Sequence, residues 1–246
     1  MKNYYPDKRT LLMMKIKNIT RIVLLVIIML QGEYCFSQGK IYRNSRPQIR
    51  FQTTGTENGH DYVDLGLPSG NMWATCNIGA NHPTDFGEYY AWGELIEKKN
   101  YTIDNCSTIG DLPLNINNTQ YDVANNKWSG KWRLPTKDDF QELVDLCSWK
   151  WSIINGVAGY KIIGPNKNSI FLPAGDSKDE NGSKGQFVNV SGDYWSANSY
   201  KKGTSIYENN SNPIWLNCSY GLFFFNKGKD VRSYPRYFGR NIRPVF

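Results

Sequence analysis

Five cysteines and two histidines are the side chains here best suited to nucleophilic or metal chemistry. The histidines, His60 and His82, sit in no HExxH, GxSxG, P-loop or GxGxxG frame. A Ser-His-Asp relay needs a histidine base held beside a serine, and neither context supplies that, so both read as loop residues. Cys35 belongs to the N-terminal segment. Cys76, Cys106, Cys147 and Cys218 are spaced too widely for a CxxC redox or zinc pattern. Their pairing is open, because spacing does not choose among the possible connectivities. They read as structural disulfides or buried thiols rather than as a reactive nucleophile.

Carboxylates give the second set. Asp138, Asp139, Glu142 and Asp145 lie on one side of a helical pattern and read as its solvated face, since nothing nearby in sequence would raise a carboxylate pKa. In "SKDENGSKGQFV", Asp179, Asn181 and Gly182 stand in EF-hand phase. The first position is Ser177 and the twelfth Val188, so the two main oxygen ligands fail. No bound metal and no cofactor are therefore expected. Asp176, Asp179 and Glu180 are the oxygens available to a non-EF alternative.

Aromatics are the stronger indication, at 14% of the chain with 8 Trp and 16 Tyr. Exposed Tyr and Trp faces stack on sugar rings and anchor protein partners. Trp132, Trp151 and Trp195 lie inside motif frames and read as core. Tyr200, Tyr207, Tyr220, Tyr234 and Tyr237 lie in or beside loops and are the ligand-binding candidates. Arg236 joins them from "KGKDVRSYPRYFGRNIR", where six basic residues stand against Asp230. That segment can either meet an anionic glycan or pack arginine stems along a sheet, and packing is the preferred reading.

These residues need elements to position them. Residues 62–67 and 72–78 read as a hairpin around the turn "PSGN". Tyr89–Trp92 is strand-like. Residues 96–127 are a polar, Asn-rich excursion with a small helix near 121–125. Pro135 stops a strand, Thr136 caps a helix, and Asp139 takes the capping-box position. Phe140, Leu143, Val144 and Cys147 then form one apolar face. Strands follow at 160–163, 169–174, 193–200, 213–219, 221–226 and 239–246. The order predicts an α+β fold: a loop-rich, mostly antiparallel sheet with one or two flanking helices.

The formal charge of +7 is concentrated at the N-terminus. Residues 1–37 carry six Lys/Arg and two Asp/Glu, leaving 23 basic against 20 acidic residues, or +3, in the remainder. That balance gives no case for nucleic acid. Lys15, Lys17 and Arg21 precede an apolar run, Ile22 to Leu30, far shorter than the ~18 residues that span a bilayer. The pattern is that of a signal peptide over 1–37, with Met14 as an alternative start, followed by a linker over 38–58 and a domain over 59–246. Export is thus expected, to the cell envelope or outside it, with no transmembrane segment after cleavage. Glu33 and Tyr34 before Cys35 argue against lipidation.

In order, "HDYVDLGLPSGNMWATCNIGA", "FGEYYAWGE", "KWRLPT", "FQELVDLCSWKW", "IFLPAG", "GDYWSANS" and "GRNIRPV" resemble the Fibrobacter succinogenes major paralogous domain of secreted and surface proteins of Bacteroidetes and Fibrobacteres. The "WRLPT"-helix segment is similar to that of formylglycine-generating-enzyme-like domains. The resemblance implies a C-type lectin-like fold, an internal structural role for Arg133, and ligand-bearing loops above the sheet. It implies no reaction, and a non-catalytic binding or adhesion module is expected, with a surface glycan or an envelope protein as ligand. The alternatives are a formylglycine-generating-type enzyme or a structural envelope or fimbrial subunit. Formylglycine-generating enzymes use a close cysteine pair near the C-terminus to bind copper, whereas here only Cys218 lies in the last quarter.

Overall fold

A computed structural model describes residues 51–180, 187–200 and 217–246. The expected signal peptide, most of the expected linker and Tyr207 lie outside these residues. Eleven elements follow one another among the described residues: β1 Gly55–Glu57, β2 His60–Asp64, β3 Met72–Ala74, α1 Val123–Trp128, α2 Lys137–Leu146, β4 Ser148–Ile154, β5 Val157–Ile163, β6 Ser169–Pro173, β7 Ser191–Ser199, β8 Cys218–Phe225 and β9 Gly228–Pro235. The strands form three antiparallel sheets of three strands each, in the orders β1-β2-β3, β4-β5-β6 and β7-β8-β9. The fold is α+β, as expected. No described helix is long and apolar enough to cross a membrane.

The expected 62–78 hairpin is present, with Val63 opposite Trp73, but its ladder is confined to β2 and β3. A further strand, β1, lies inside the segment read as linker and pairs with β2. The β1–β2 turn is Asn58-Gly59 and the β4–β5 turn is Asn155-Gly156, with positive φ at all four residues. That is the backbone a two-residue type I′ turn requires, and Asn-Gly is its preferred pair.

Helix α2 forms as its sequence dictates. The Thr136 hydroxyl accepts from Asp139 N at 3.0 Å, and Thr136 N donates to Asp139 Oδ2 at 2.7 Å. Arg133 Nη1 also donates to Asp139 Oδ2, at 2.6 Å, and Asn71 Nδ2 donates to Oδ1 at 2.7 Å. Arg133 is thus structural, though half-buried rather than wholly internal. Glu142 accepts from Ser69 N and Oγ at 2.9 and 2.6 Å. The acidic side of α2, expected to be only solvated, instead pins the 68–71 turn.

Phe140 and Leu143 enter a core with Val63, Trp73, Ile162, Leu172, Tyr194, Leu222 and Phe224. A second cluster holds Tyr90, Trp92, Trp128, Trp132, Trp195 and Ile242. Trp132 and Trp195 are fully buried, as their motif positions imply, whereas Trp151 is half-buried. The C-terminal segment, expected as one strand, makes separate bridges to five partners: Gly239 to Lys178, Arg240 to Tyr90, Asn241 to Tyr194, and Val245 to both Trp73 and Arg133.

Both arginines of this segment are interior. Arg243 is fully buried and donates to Asn77 Oδ1 at 2.9 Å and to the carbonyls of Ala74, Thr75 and Phe171 at 3.0, 2.8 and 3.0 Å. Arg240 pairs with buried Asp193 at 3.0 Å and its guanidinium lies 3.4 Å from the Tyr234 ring centroid. Burial holds the Asp193 carboxyl above its ordinary range, outweighing the Arg240 charge beside it.

Candidate binding cleft

The cleft begins with a backbone exchange. Lys178 N donates to Gly239 O at 2.8 Å, and Gly239 N donates back to Lys178 O at 2.9 Å. The Tyr101 ring closes on this pair: a Cβ on Gly239 would lie 2.7–2.8 Å from its carbons. Tyr101 N donates to Asp179 O at 3.0 Å, and its hydroxyl donates to Tyr89 O at 2.6 Å. The chain then turns at 102–106. Asn105 Oδ1 accepts from Thr102 N at 3.2 Å, Asn105 Nδ2 donates to Asn100 O at 3.1 Å, and Cys106 N donates to Ile103 O at 3.3 Å.

Three distant segments therefore meet. Thr102, Ile103, Asp104, Asp179, Glu180, Tyr237 and Phe238 line a cleft of about 390 Å³. Tyr237 and Phe238 are stacked, with centroids 4.7 Å apart and planes at 26°. Both are half-buried, while Asp104 and Glu180 are exposed. Burial raises the Tyr237 phenol above its ordinary value, and the neighbouring Glu180 charge adds to this. The phenol therefore stays protonated and able to donate. Side-chain oxygens, hydroxyls and a paired ring surface make a site suited to a polyhydroxylated ligand.

The structure divides the candidates. Tyr237, Asp179 and Glu180 come together in the cleft. Tyr200 is buried, its ring 5.8 Å from that of half-buried Tyr220. Lys137 sits over Tyr220 at 5.3 Å, and Tyr234 is held between Arg232 and Arg240. Arg236 is a correction to the ligand list. It is buried, its donors go to Ser219 Oγ, Ser199 Oγ and the carbonyls of Thr108 and Gly110, and its guanidinium lies 4.5 Å from the Trp92 ring centroid. Asp176 is buried too and accepts from Phe187 N at 3.0 Å and Ser191 Oγ at 3.4 Å, so it is not a solvent-facing ligand. Among the described residues no three His, Cys, Asp or Glu side chains stand close enough to share a metal ion.

The disulfide expectation is also corrected. No two of Cys76, Cys106, Cys147 and Cys218 are joined as a disulfide. Cys106 lies with Tyr89, Ala91 and Tyr101, whereas Cys147, the C-cap of α2, is half-buried against the main core. Burial raises the Cys147 and Cys218 thiols to about 11 each, and raises Cys76 as well. An activated thiolate needs the opposite shift. His60 stacks flat on Trp128, centroids 3.7 Å apart and planes at 7°, and His82 pairs with Asp85 at 3.4 Å.

A second, more open cleft of about 730 Å³ lies along residues 93–121 and includes Glu94, Lys98, Asn105, Ser107 and Tyr121. Its polar floor is satisfied internally: Glu94 accepts from Ser107 N and pairs with Lys98, both at 2.7 Å, and Lys98 Nζ donates to Asn105 O at 2.9 Å. Comparisons with protein-family models, with curated proteins and with solved structures each give no match to this chain.

Proposed function

We propose that this chain is an exported, non-catalytic binding module of the cell envelope, with a C-type lectin-like body, and that it holds a surface glycan in the 102–104/179–180/237–238 cleft. The observation that carries the reading is the convergence of Asp104, Asp179 and Glu180 with the stacked Tyr237–Phe238 pair. Carboxylates accept hydrogen bonds from sugar hydroxyls while a ring face packs against the apolar side of the sugar. The raised thiols of Cys76, Cys147 and Cys218 support binding over cysteine catalysis. Export rests on the basic and apolar pattern of the first 37 residues.

A glycan array probed with the purified protein tests this reading. Binding to a defined set of glycans that Tyr237→Ala weakens roughly tenfold supports it. A folded wild-type protein that binds nothing on the array contradicts it.

A further inference from the structure

We propose that β4 is a pairing edge and that two copies of this chain join there, β4 against β4, antiparallel about a two-fold axis at Trp151. Strand β4 is an outer strand of its sheet and pairs with β5 over seven residues without a bulge. Ala158 fixes the bonding phase. Its N–H goes to Asn189 Oδ1 at 2.9 Å and its carbonyl accepts from Ala174 N at 2.8 Å, so neither is spent on β4. Ile153, opposite Ala158, is therefore in a non-hydrogen-bonded pair, with its own N–H and C=O pointing outward. Alternation gives Trp151 and Trp149 the same orientation. Among the described residues no hydrogen bond reaches these outward backbone groups.

The other sheet edges are covered or blunted. On β6 the carbonyls of Phe171 and Pro173 accept from Arg243 Nη2 and the Tyr194 hydroxyl, at 3.0 and 2.9 Å. On β7, Trp195 N donates to Asn241 O at 3.1 Å and Ala197 N to Pro135 O at 2.7 Å. The C-terminal segment covers β3, with Met72 N donating to Phe246 O at 2.7 Å and Ala74 N to Pro244 O at 3.0 Å. Strand β1 has three residues, and β9 carries Lys229, Asp230 and Arg232 and ends in Pro235. Shortness, charge and proline are what keep an edge from pairing. Strand β4 has only the charge of Lys150 and no proline. Its Ile153 is 71% exposed, on the face it shares with half-buried Trp149 and Trp151.

A second copy fits this edge because the edge complements itself. With Trp151 opposite the partner's Trp151, Trp149 meets the partner's Ile153 and Ile153 meets the partner's Trp149. Every outward N–H and C=O of both strands then finds a partner. Charge agrees with this register: Lys150 falls opposite the partner's Ser152, not opposite a second lysine. The exposed Ile153 is covered by an indole, an aromatic and β-branched pair of the kind that stabilises sheets. A two-fold contact of this type closes at two copies. One strand pair buries less than the ~1,200–2,000 Å² of a stable interface, so the dimer is a weak one that fills as concentration rises.

Sedimentation equilibrium of the chain lacking residues 1–37 over a range of concentrations, with amide hydrogen exchange by NMR on the same samples, tests this. The expected result is a monomer–dimer equilibrium in which the amides of Trp149, Trp151 and Ile153 exchange about tenfold more slowly in the dimer than in the monomer. Ser152→Glu sets a carboxylate opposite the partner's Lys150 and is expected to tighten association several-fold, whereas Ser152→Lys sets like charges opposite and weakens it. Ile153→Lys is expected to weaken association about tenfold, by charging the edge and removing the contact with Trp149. The thermal transition of each variant confirms that it folds. A chain that stays monomeric at every concentration overturns the proposal. A dimer whose three amides still exchange fast overturns it too, since the copies then meet elsewhere. Slow exchange of the three in the monomer also overturns it, because the chain then covers its own edge. Equal association by both Ser152 variants overturns the pairing centred on Trp151.

Discussion

Lys178 and Gly239 exchange both of their backbone hydrogen bonds, at 2.8 and 2.9 Å, across 61 residues of sequence. This exchange sets Asp179 and Glu180 beside Tyr237 and Phe238. Gly239 has no room for a side chain, because Tyr101 fills the position a Cβ would take. Gly239→Ala is therefore expected to cost about 1–3 kcal/mol of stability through overpacking. It should also weaken glycan binding by displacing the cleft wall. Urea unfolding and a binding titration on the same variant check both parts.

Arg243 places its donors on one side-chain oxygen and three backbone oxygens. Burial lowers its pKa, yet removing it leaves buried acceptors unpaired. Arg243→Met is expected to destabilise the protein by more than about 3 kcal/mol. Arg243→Lys is expected not to rescue it, since one ammonium cannot reach acceptors laid out for a planar fork. Chemical denaturation of both variants tests the claim.

His60 supplies a pH dependence. Burial against Trp128 lowers its pKa from 6.5, and the Asp61 charge only partly opposes this. The folded state thus binds a proton less readily than the unfolded chain. Its stabilising contribution is full above pH 6.5 and is lost as pH falls through that value toward the lower folded pKa. His60→Phe is expected to flatten this part of the stability profile between pH 7.5 and 5.5. NMR titration of the imidazole should place its midpoint below 6.5.

The cysteine assignment gives a stoichiometric test. No two of the four described cysteines are joined as a disulfide, so chain lacking residues 1–37 should release four thiols per molecule when denatured without reductant. In the native state Cys147 and Cys218 are expected to react slowly at neutral pH, because burial holds both thiols near 11. Two thiols or none in the denatured sample would restore the disulfide reading.

Local signals in the sequence foretold much of the fold. Thr136 and Asp139 marked the start of α2, and the 3–4 spacing of Phe140, Leu143 and Val144 marked its buried face. Strand β4 escaped notice although Trp149-Lys150-Trp151 alternates in burial, because it follows α2 after a single residue. The Asn58-Gly59 and Asn155-Gly156 pairs were turn signals that went unread. Strand β9 lies inside a segment notable for its charge, and the burial of Arg236, Arg240 and Arg243 depends on partners distant in sequence, among them Gly110, Tyr90 and Phe171, which composition cannot show. Half of the cleft was legible: Asp179, Glu180 and Tyr237 stood out by type. Thr102, Ile103 and Asp104 carried no local signal, and only the long-range pairing around Gly239 brings them to the others.

The most direct test of the cleft compares Tyr237→Ala with Tyr234→Ala on the same glycan array. Tyr237 lines the cleft with its ring stacked on Phe238, whereas Tyr234 is occupied by Arg232 and Arg240. Losing a stacking face should reduce affinity roughly tenfold, about 1.4 kcal/mol. The account predicts that loss for Tyr237→Ala and near wild-type binding for Tyr234→Ala. Unchanged binding by a folded Tyr237→Ala protein, or loss confined to Tyr234→Ala, contradicts it.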